Sequence, residues 1–435
     1  MNTIVSKSSS IVVGRPLEPL TMSDGTTIKL SPLDRGNFPM TVLLLYEHPI
    51  NNAANTIKTA LSQALVHYYP FSGRLVPGGD GISSTGSYID CTGEGVAEFI
   101  SASADCSLKQ AAKLFERSSS SSGGGGTGTN SLLDELTRCN PAGGYGATDP
   151  LLSVQLTEFT CGGFILGVTW SHAIADGAGI AQFLGAIGEL ARGLMSPSIL
   201  PVRWDEAVSS LPPPPGSVRD VELEHSPLVV LDVTIPSSFI SRNKSKAEFH
   251  GQPRCTTFEV AAAVLWQCRT RATMSICRPD TLSALSFTVN VRKHVGAKDG
   301  YYGNCVVNQH VMATSGAVAG ADIMDLVKMI KQAKDQVPDL LDKKRNESSK
   351  NRLQGLDGRY NMFAVTSWRN IGFEEADFGS GPPARVMWHE PGIPPFPICF
   401  ICPNKGEDDV SVVSFCVKEE HADAFLQEIA KFTSI

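Results

Sequence analysis

Apolar residues recur along this chain with two different spacings. Residues 41–46 form an unbroken, largely apolar run, which predicts a buried strand. Residues 55–67 carry Ile57, Ala60, Leu61, Ala64 and Leu65 on one stripe, the spacing of an amphipathic helix. Residues 152–159 and 164–170 read as strands, and Cys161-Gly162-Gly163 between them predicts a hairpin. A second helical stripe, Ile180, Phe183, Leu184, Ile187 and Leu190, runs through residues 178–192. Beyond the midpoint, residues 257–269 predict a helix opened by a Thr-Thr-Phe-Glu cap. Strands at 285–291 and 410–417 flank a helix at 323–337. Both halves therefore mix strands and helices, which predicts an α/β fold of two similar-sized domains.

Two connectors punctuate the pattern. Residues 118–130 are serines, glycines and threonines that cannot bury enough apolar surface to order themselves. Their GxGxxG (Gly123, Gly125, Gly128) follows serines rather than a strand, so it is read as a surface loop and not a dinucleotide turn. Leu211-Pro212-Pro213-Pro214-Pro215-Gly216 is a semi-rigid spacer near the midpoint. The expected division is a first domain at 1–200, a crossover linker at 201–221 and a second domain at 222–435.

With 435 residues, 42% hydrophobic and 19% charged, the chain has the composition of an ordinary folded protein. Lys and Arg number 37 against 44 Asp and Glu, a net charge of −7 that offers no footprint for nucleic acid. Eleven cysteines without a repeated spacing read as reduced, buried thiols, and Cys399-Phe400-Ile401-Cys402 as part of a core strand. No apolar leader and no run of about 20 apolar residues is present, so a cytoplasmic protein with no membrane partner is expected. No heptads demand an assembly, so a monomer is expected.

The sharpest local signal is Ser171-His172-Ala173-Ile174-Ala175-Asp176-Gly177. It places His172 on a turn between a strand's C-terminal end and a helix, where α/β proteins often present reactive groups. Imidazole titrates near neutrality, so His172 can take a proton from a nucleophile and return it to a leaving group. A core histidine, or a His172–Asp176 metal pair serving a hydrolase, are the competing readings; no third ligand lies within a turn. No GxSxG, P-loop or HExxH is present.

A second segment, Thr366-Ser367-Trp368-Arg369 followed by Asp377-Phe378-Gly379-Ser380-Gly381, changes the weighing. The pair His-x-x-x-Asp-Gly and Asp-Phe-Gly-x-Gly, about 200 residues apart, resembles the plant BAHD acyltransferases. Leu30-Ser31-Pro32-Leu33-Asp34, Tyr69-Pro70-Phe71-Ser72-Gly73-Arg74-Leu75, Thr257-Phe258-Glu259 with Trp266, and Asn290-Val291-Arg292 before Tyr302-Gly303-Asn304 are similar to further motifs of that family, in order over nearly the whole chain.

The resemblance implies two chloramphenicol-acetyltransferase-like domains with mixed sheets flanked by helices and a solvent channel between them. It implies no permanently bound cofactor and no metal, with acyl-CoA as co-substrate. His172 would be the general base, moving an aromatic (hydroxycinnamoyl or benzoyl) or acetyl group to the amine or hydroxyl of a plant specialised metabolite. Asp176 and Arg292 would pair away from the site as its structural support, with Gly177, Asp377 and Gly379 also structural. Tyr302, Gly303 and Asn304 would line the CoA path. Pro39, Met40, Thr41 and Leu43 would border the acceptor pocket.

Two positions depart from the family pattern. Ser380 stands where the family has Trp, and either helps hold an oxyanion or opens room for a bulkier acceptor. Asn290 stands where many members carry Asp. A non-catalytic, ligand-binding relative of the same fold is the alternative function, and Ser380 is its support.

Overall fold

The computed structural model describes residues 5–13, 27–34, 36–76, 87–91, 96–111, 131–138, 144–212, 228–249, 254–274, 278–341, 359–389, 396–403 and 409–433. Two mixed sheets organise the described chain. The first has seven strands in the order Val5–Lys7, Ala97–Ala104, Leu152–Phe159, Phe164–Ser171, Pro39–Tyr46 and Arg385–His389, with Ile11–Val13 also on Ala97–Ala104. The second has six, ordered Leu231–Ile235, Val410–Phe415, Ile398–Ile401, Met362–Ser367, Leu282–Asn290 and Val306–Thr314. A small three-stranded sheet joins Thr27–Lys29, Tyr88–Asp90 and Arg74–Val76.

Pro39–Tyr46 lies between two partners and is buried along nearly its whole length, which is why it reads as a continuous apolar run. Its Val42 shares a row with Trp388, Val168, Val154 and Phe99, which packs in one core with the helices Ala53–His67 and Gly177–Ala191. The Gly177–Ala191 helix sits unusually close to its neighbours. A Cβ at Gly179 would lie 1.9 Å from the Tyr302 carbonyl oxygen, and one at Gly188 would lie 2.6 Å from that of Asp377.

The second core surrounds Thr257–Thr273, a helix buried on every side. Its capping box is complete: Thr256 Oγ1 accepts from Glu259 N–H, and the Glu259 carboxylate accepts from Thr256 N–H.

The predicted strands and helices of both halves are present, and Leu152–Phe159 pairs antiparallel with Phe164–Ser171 as the hairpin reading expects. Two expectations change. Arg385–His389, from the half expected to form the second domain, hydrogen-bonds to Pro39–Tyr46 and completes the first sheet. The start of the expected linker is packed: Val202 bridges Tyr301, and Arg203 and Asp205 are buried. Several elements lacked a periodic signal, among them Ala97–Ala104 and Val306–Thr314. Residues 118–130 and 213–216 lie outside the described residues. The nine described cysteines are free thiols, and Cys399 and Cys402 are buried, as a core strand requires. Among the described residues, no helix is long and apolar enough to cross a membrane.

Candidate active site

His172 directly follows the strand Phe164–Ser171, and its N–H donates to the Phe38 carbonyl at 3.0 Å. The turn beyond it is tied down from within. Ile174 N–H donates to the Ser171 carbonyl, and the Trp170 indole donates to the Ala175 carbonyl at 2.9 Å. His172 is half-buried as a residue, with the Phe38 ring 4.9 Å from its imidazole. Desolvation lowers its pKa from the ordinary imidazole value, and Asp176, Asp34 and the Asn304 side chain oppose that shift without reversing it.

Asp176 caps the Gly177–Ala191 helix, its Oδ1 accepting from Gly179 N–H at 3.0 Å. The same carboxylate receives both arms of the Arg292 guanidinium, at 2.9 and 2.8 Å, and Cys305 N–H at 3.0 Å. Arg292 also donates to the Tyr301 and Gly303 carbonyls. Both Asp176 oxygens are thereby occupied, leaving no carboxylate for the metal pair considered above. Gly177 lies against Trp368, whose indole nitrogen would be 3.1 Å from a Cβ there.

A second buried network, which no sequence signal announced as a unit, lies on the other side of the loop. Asp34 pairs with Arg203 at 3.2 Å, their side chains 0% and 5% exposed. Asp34 also accepts from Asn304 Nδ2 at 2.9 Å, and that amide donates to the His172 carbonyl at 2.6 Å. Arg203 donates to the neighbouring Ala173 carbonyl at 3.1 Å. Burial works to lower the Arg203 pKa, but Asp34 together with Tyr301 and Tyr302 outweighs it and holds the cation above its ordinary value. Asp34 was visible only as the end of a short motif, and nothing in the sequence distinguished Arg203.

Of the other residues named by the resemblance, Tyr302, Gly303 and Asn304 are all buried, and the Asn304 side chain supports the loop from within. Tyr302 packs on Tyr68 and Phe71. Of the four acceptor-pocket candidates only Pro39, directly opposite Ser171, reaches the His172 end of its strand half-exposed. Met40 belongs to the first core, Thr41 faces Thr169 with hydroxyls 3.1 Å apart, and Leu43 packs in a separate apolar cluster.

Asp377, Phe378, Gly379 and Ser380 form a turn at the opposite end of the sheet. Asp377 Oδ1 accepts from the Gly379 and Gly381 N–H groups, and Arg192 donates to the Asp377 carbonyl. Phe378 packs edge-on against Tyr46, and the Tyr46 hydroxyl donates to the Ala376 carbonyl at 2.6 Å. Tyr46 is opposite Phe164, whereas His172 follows Ser171 at the other end of that strand. Seven residues at about 3.3 Å each separate the two ends by about 23 Å. The Ser380 hydroxyl is buried at this Tyr46 end of the sheet, remote from His172.

A cavity of about 580 Å³ opens beside the Thr256 cap, lined by Lys244, Glu248, Arg254, Thr257, Ser367 and Arg369 among others, with Arg254 paired to Glu248 at 2.7 Å. Three cations against one carboxylate, and a long helix's N-terminus, leave it a net positive lining that suits anionic oxygens. Trp368, between Ser367 and Arg369 of its wall, is the residue that meets Gly177, so one short segment links this cavity to the His172 loop.

Residues 5–431 match the model of a protein family described as Transferase family. Acyl transferase 15 of Oryza sativa subsp. japonica is 44% identical over 449 residues, covering 99% of both chains. Myricetin 3-O-glucosyl 1,2-rhamnoside 6'-O-caffeoyltransferase AT2 of Crocosmia x crocosmiiflora is 32% identical over 461 residues, covering 100% of both. Among solved structures, vinorine synthase superposes with a TM-score of 0.74 at 20% identity, over 99% of this chain and 98% of that one. F. sporotrichioides TRI101, complexed with coenzyme A and T-2, gives 0.69 at 17% identity, over 93% and 98%.

Proposed function

As a member of the BAHD acyltransferase family, the chain is an acyltransferase, and we propose that it moves an acyl group from coenzyme A to a hydroxyl or amine of a plant small molecule with His172 as general base. The observation that carries this reading is the division of labour around the imidazole. Asp176 is consumed by Arg292 and the helix cap, so it holds the loop while the ring of half-buried His172 keeps its lone pair for an incoming substrate.

The cavity beside Thr256 would hold the phosphates of coenzyme A through Lys244, Arg254 and Arg369. The thioester arm would pass Trp368 toward His172. There the imidazole removes the proton from the acceptor oxygen or nitrogen as that atom bonds to the thioester carbonyl carbon. Collapse of the tetrahedral intermediate breaks the carbon–sulfur bond, and the imidazolium returns the proton to the departing coenzyme A thiolate. Positioned proton transfer of this kind accelerates a reaction by about 10²–10⁴, and holding both substrates in line supplies further rate.

A hydroxycinnamoyl or benzoyl donor is the leading choice, in keeping with the caffeoyltransferase name of one relative, and acetyl is the second. We take the enzyme to act as a cytoplasmic monomer. A non-catalytic role drew its support from Ser380, and the place of Ser380 at the Tyr46 end of the sheet weighs against that role. Coenzyme A release measured with caffeoyl-, benzoyl- and acetyl-CoA against alcohols and amines tests the proposal. Turnover with at least one pair, abolished in His172→Ala, is expected. Coenzyme A binding without turnover of any pair would point to a binding protein.

A further inference from the structure

We propose that the Asp34–Arg203 ion pair is a positioning device for the catalytic loop, acting on His172 through Asn304 and through the Ala173 carbonyl. This rests on His172 being the general base.

Two consecutive carbonyls of the loop, those of His172 and Ala173, are each held by a different buried donor. Asn304 Nδ2 takes the first at 2.6 Å and Arg203 Nη2 the second at 3.1 Å. One carboxylate holds both donors. Asp34 Oδ2 faces Arg203 at 3.2 Å, and Asp34 Oδ1 accepts from Asn304 Nδ2 at 2.9 Å and from Asn304 N–H at 3.2 Å. Asp34 itself is fixed by Ser31 N–H, which donates to Oδ2 at 2.8 Å.

The amide can face only one way. Both groups beside Asn304 Nδ2 are acceptors, so turning it over would set its carbonyl oxygen against them. The glycine of Tyr302-Gly303-Asn304 follows from the same arrangement, because a Cβ on Gly303 would lie 2.8 Å from Arg203 Nη1.

The three side chains come from three distant segments, so the loop is clamped only when all are in register. A buried ion pair is weak evidence for stability, since apolar residues of similar volume often replace one without loss. Apolar residues cannot hold two carbonyls, however. A displacement of about 1 Å at a reacting group can cost about 10²-fold in rate. The Asp176–Arg292 pair grips the helix side of the loop; Asp34–Arg203 grips the strand side, next to the imidazole itself.

The test compares Arg203→Met, Asn304→Ala and His172→Ala in the full chain, using the best donor and acceptor pair from the panel and free coenzyme A as the binding probe. Arg203→Met and Asn304→Ala are each expected to lower kcat by about 10²-fold. Coenzyme A affinity should stay within about twofold. The acid limb of the pH–kcat profile should move in both variants: up toward the ordinary imidazole value in Arg203→Met as the loosened loop hydrates the ring, and down in Asn304→Ala, which loses a side-chain contact that raises the His172 pKa. A purely structural role would not move that limb.

The proposal fails if either variant turns over at the wild-type rate. It also fails if the loss matches the unfolded fraction while the acid limb stays in place. Should Arg203→Met not fold, Asn304→Ala decides, because it leaves the ion pair intact. Full turnover in His172→Ala would instead overturn the general-base reading. An inactive His172→Ala beside fully active Arg203→Met and Asn304→Ala would sink only the present inference.

Discussion

Arg292 meets Asp176 fork to fork across 116 residues of sequence, and both carboxylate oxygens also accept a backbone N–H. The side chains are 18% and 3% exposed, so removing one leaves a largely desolvated charge without its partner. Asp176→Ala or Arg292→Ala is expected to cost about 3–5 kcal/mol of stability. Calorimetry should show the melting temperature falling together with turnover. Lost turnover at an unchanged melting temperature would mean that Asp176 acts directly in the chemistry.

The imidazole carries a pH signature. Burial lowers the His172 pKa, with Asp176 and Asp34 only partly offsetting it. The base is active when neutral, so the acid limb of kcat/KM should fall below the ordinary value of about 6.5. For stability the sign is fixed by proton counts. As pH drops through about 6.5 the unfolded chain takes up a proton that the native ring resists. The native state therefore loses stability below that pH, and the loss levels off beneath the lowered native pKa. An acid limb at or above 6.5, followed by initial rates across pH, would contradict the buried environment.

Ser380 separates two mechanisms. Loss of an oxyanion donor costs about 10²–10³ in rate, whereas a residue at the Tyr46 end of the sheet has no access to that oxygen. Ser380→Ala is expected to leave kcat within about twofold. A hundredfold fall in steady-state kcat would return Ser380 to the reaction centre.

The cationic cavity predicts a binding effect. A hydrogen bond to a charged group contributes about 1.5–3 kcal/mol, and solvent screening at these positions reduces that. Arg254→Ala with Arg369→Ala should raise the KM for acyl-CoA about tenfold and leave kcat nearly unchanged. The effect should shrink at high salt. An unchanged KM would place the coenzyme elsewhere.

Reading along the chain alone identifies much of this protein, because side-chain periodicity is a local quantity. The stripe from Ile180 to Leu190, the apolar run before Tyr46 and the Thr256–Glu259 box each encode their element within a few residues. The same holds for the position of His172 on a turn after a strand. Tertiary structure decided what lies between elements. It placed Arg385–His389 in the first sheet, set Ser380 at the Tyr46 end of that sheet, and buried Tyr302 against Tyr68 and Phe71. It also joined Asn304 to Asp34 across 270 residues. Such contacts depend on strand order and register, and a two-residue shift keeps the same apolar face inward while changing every partner.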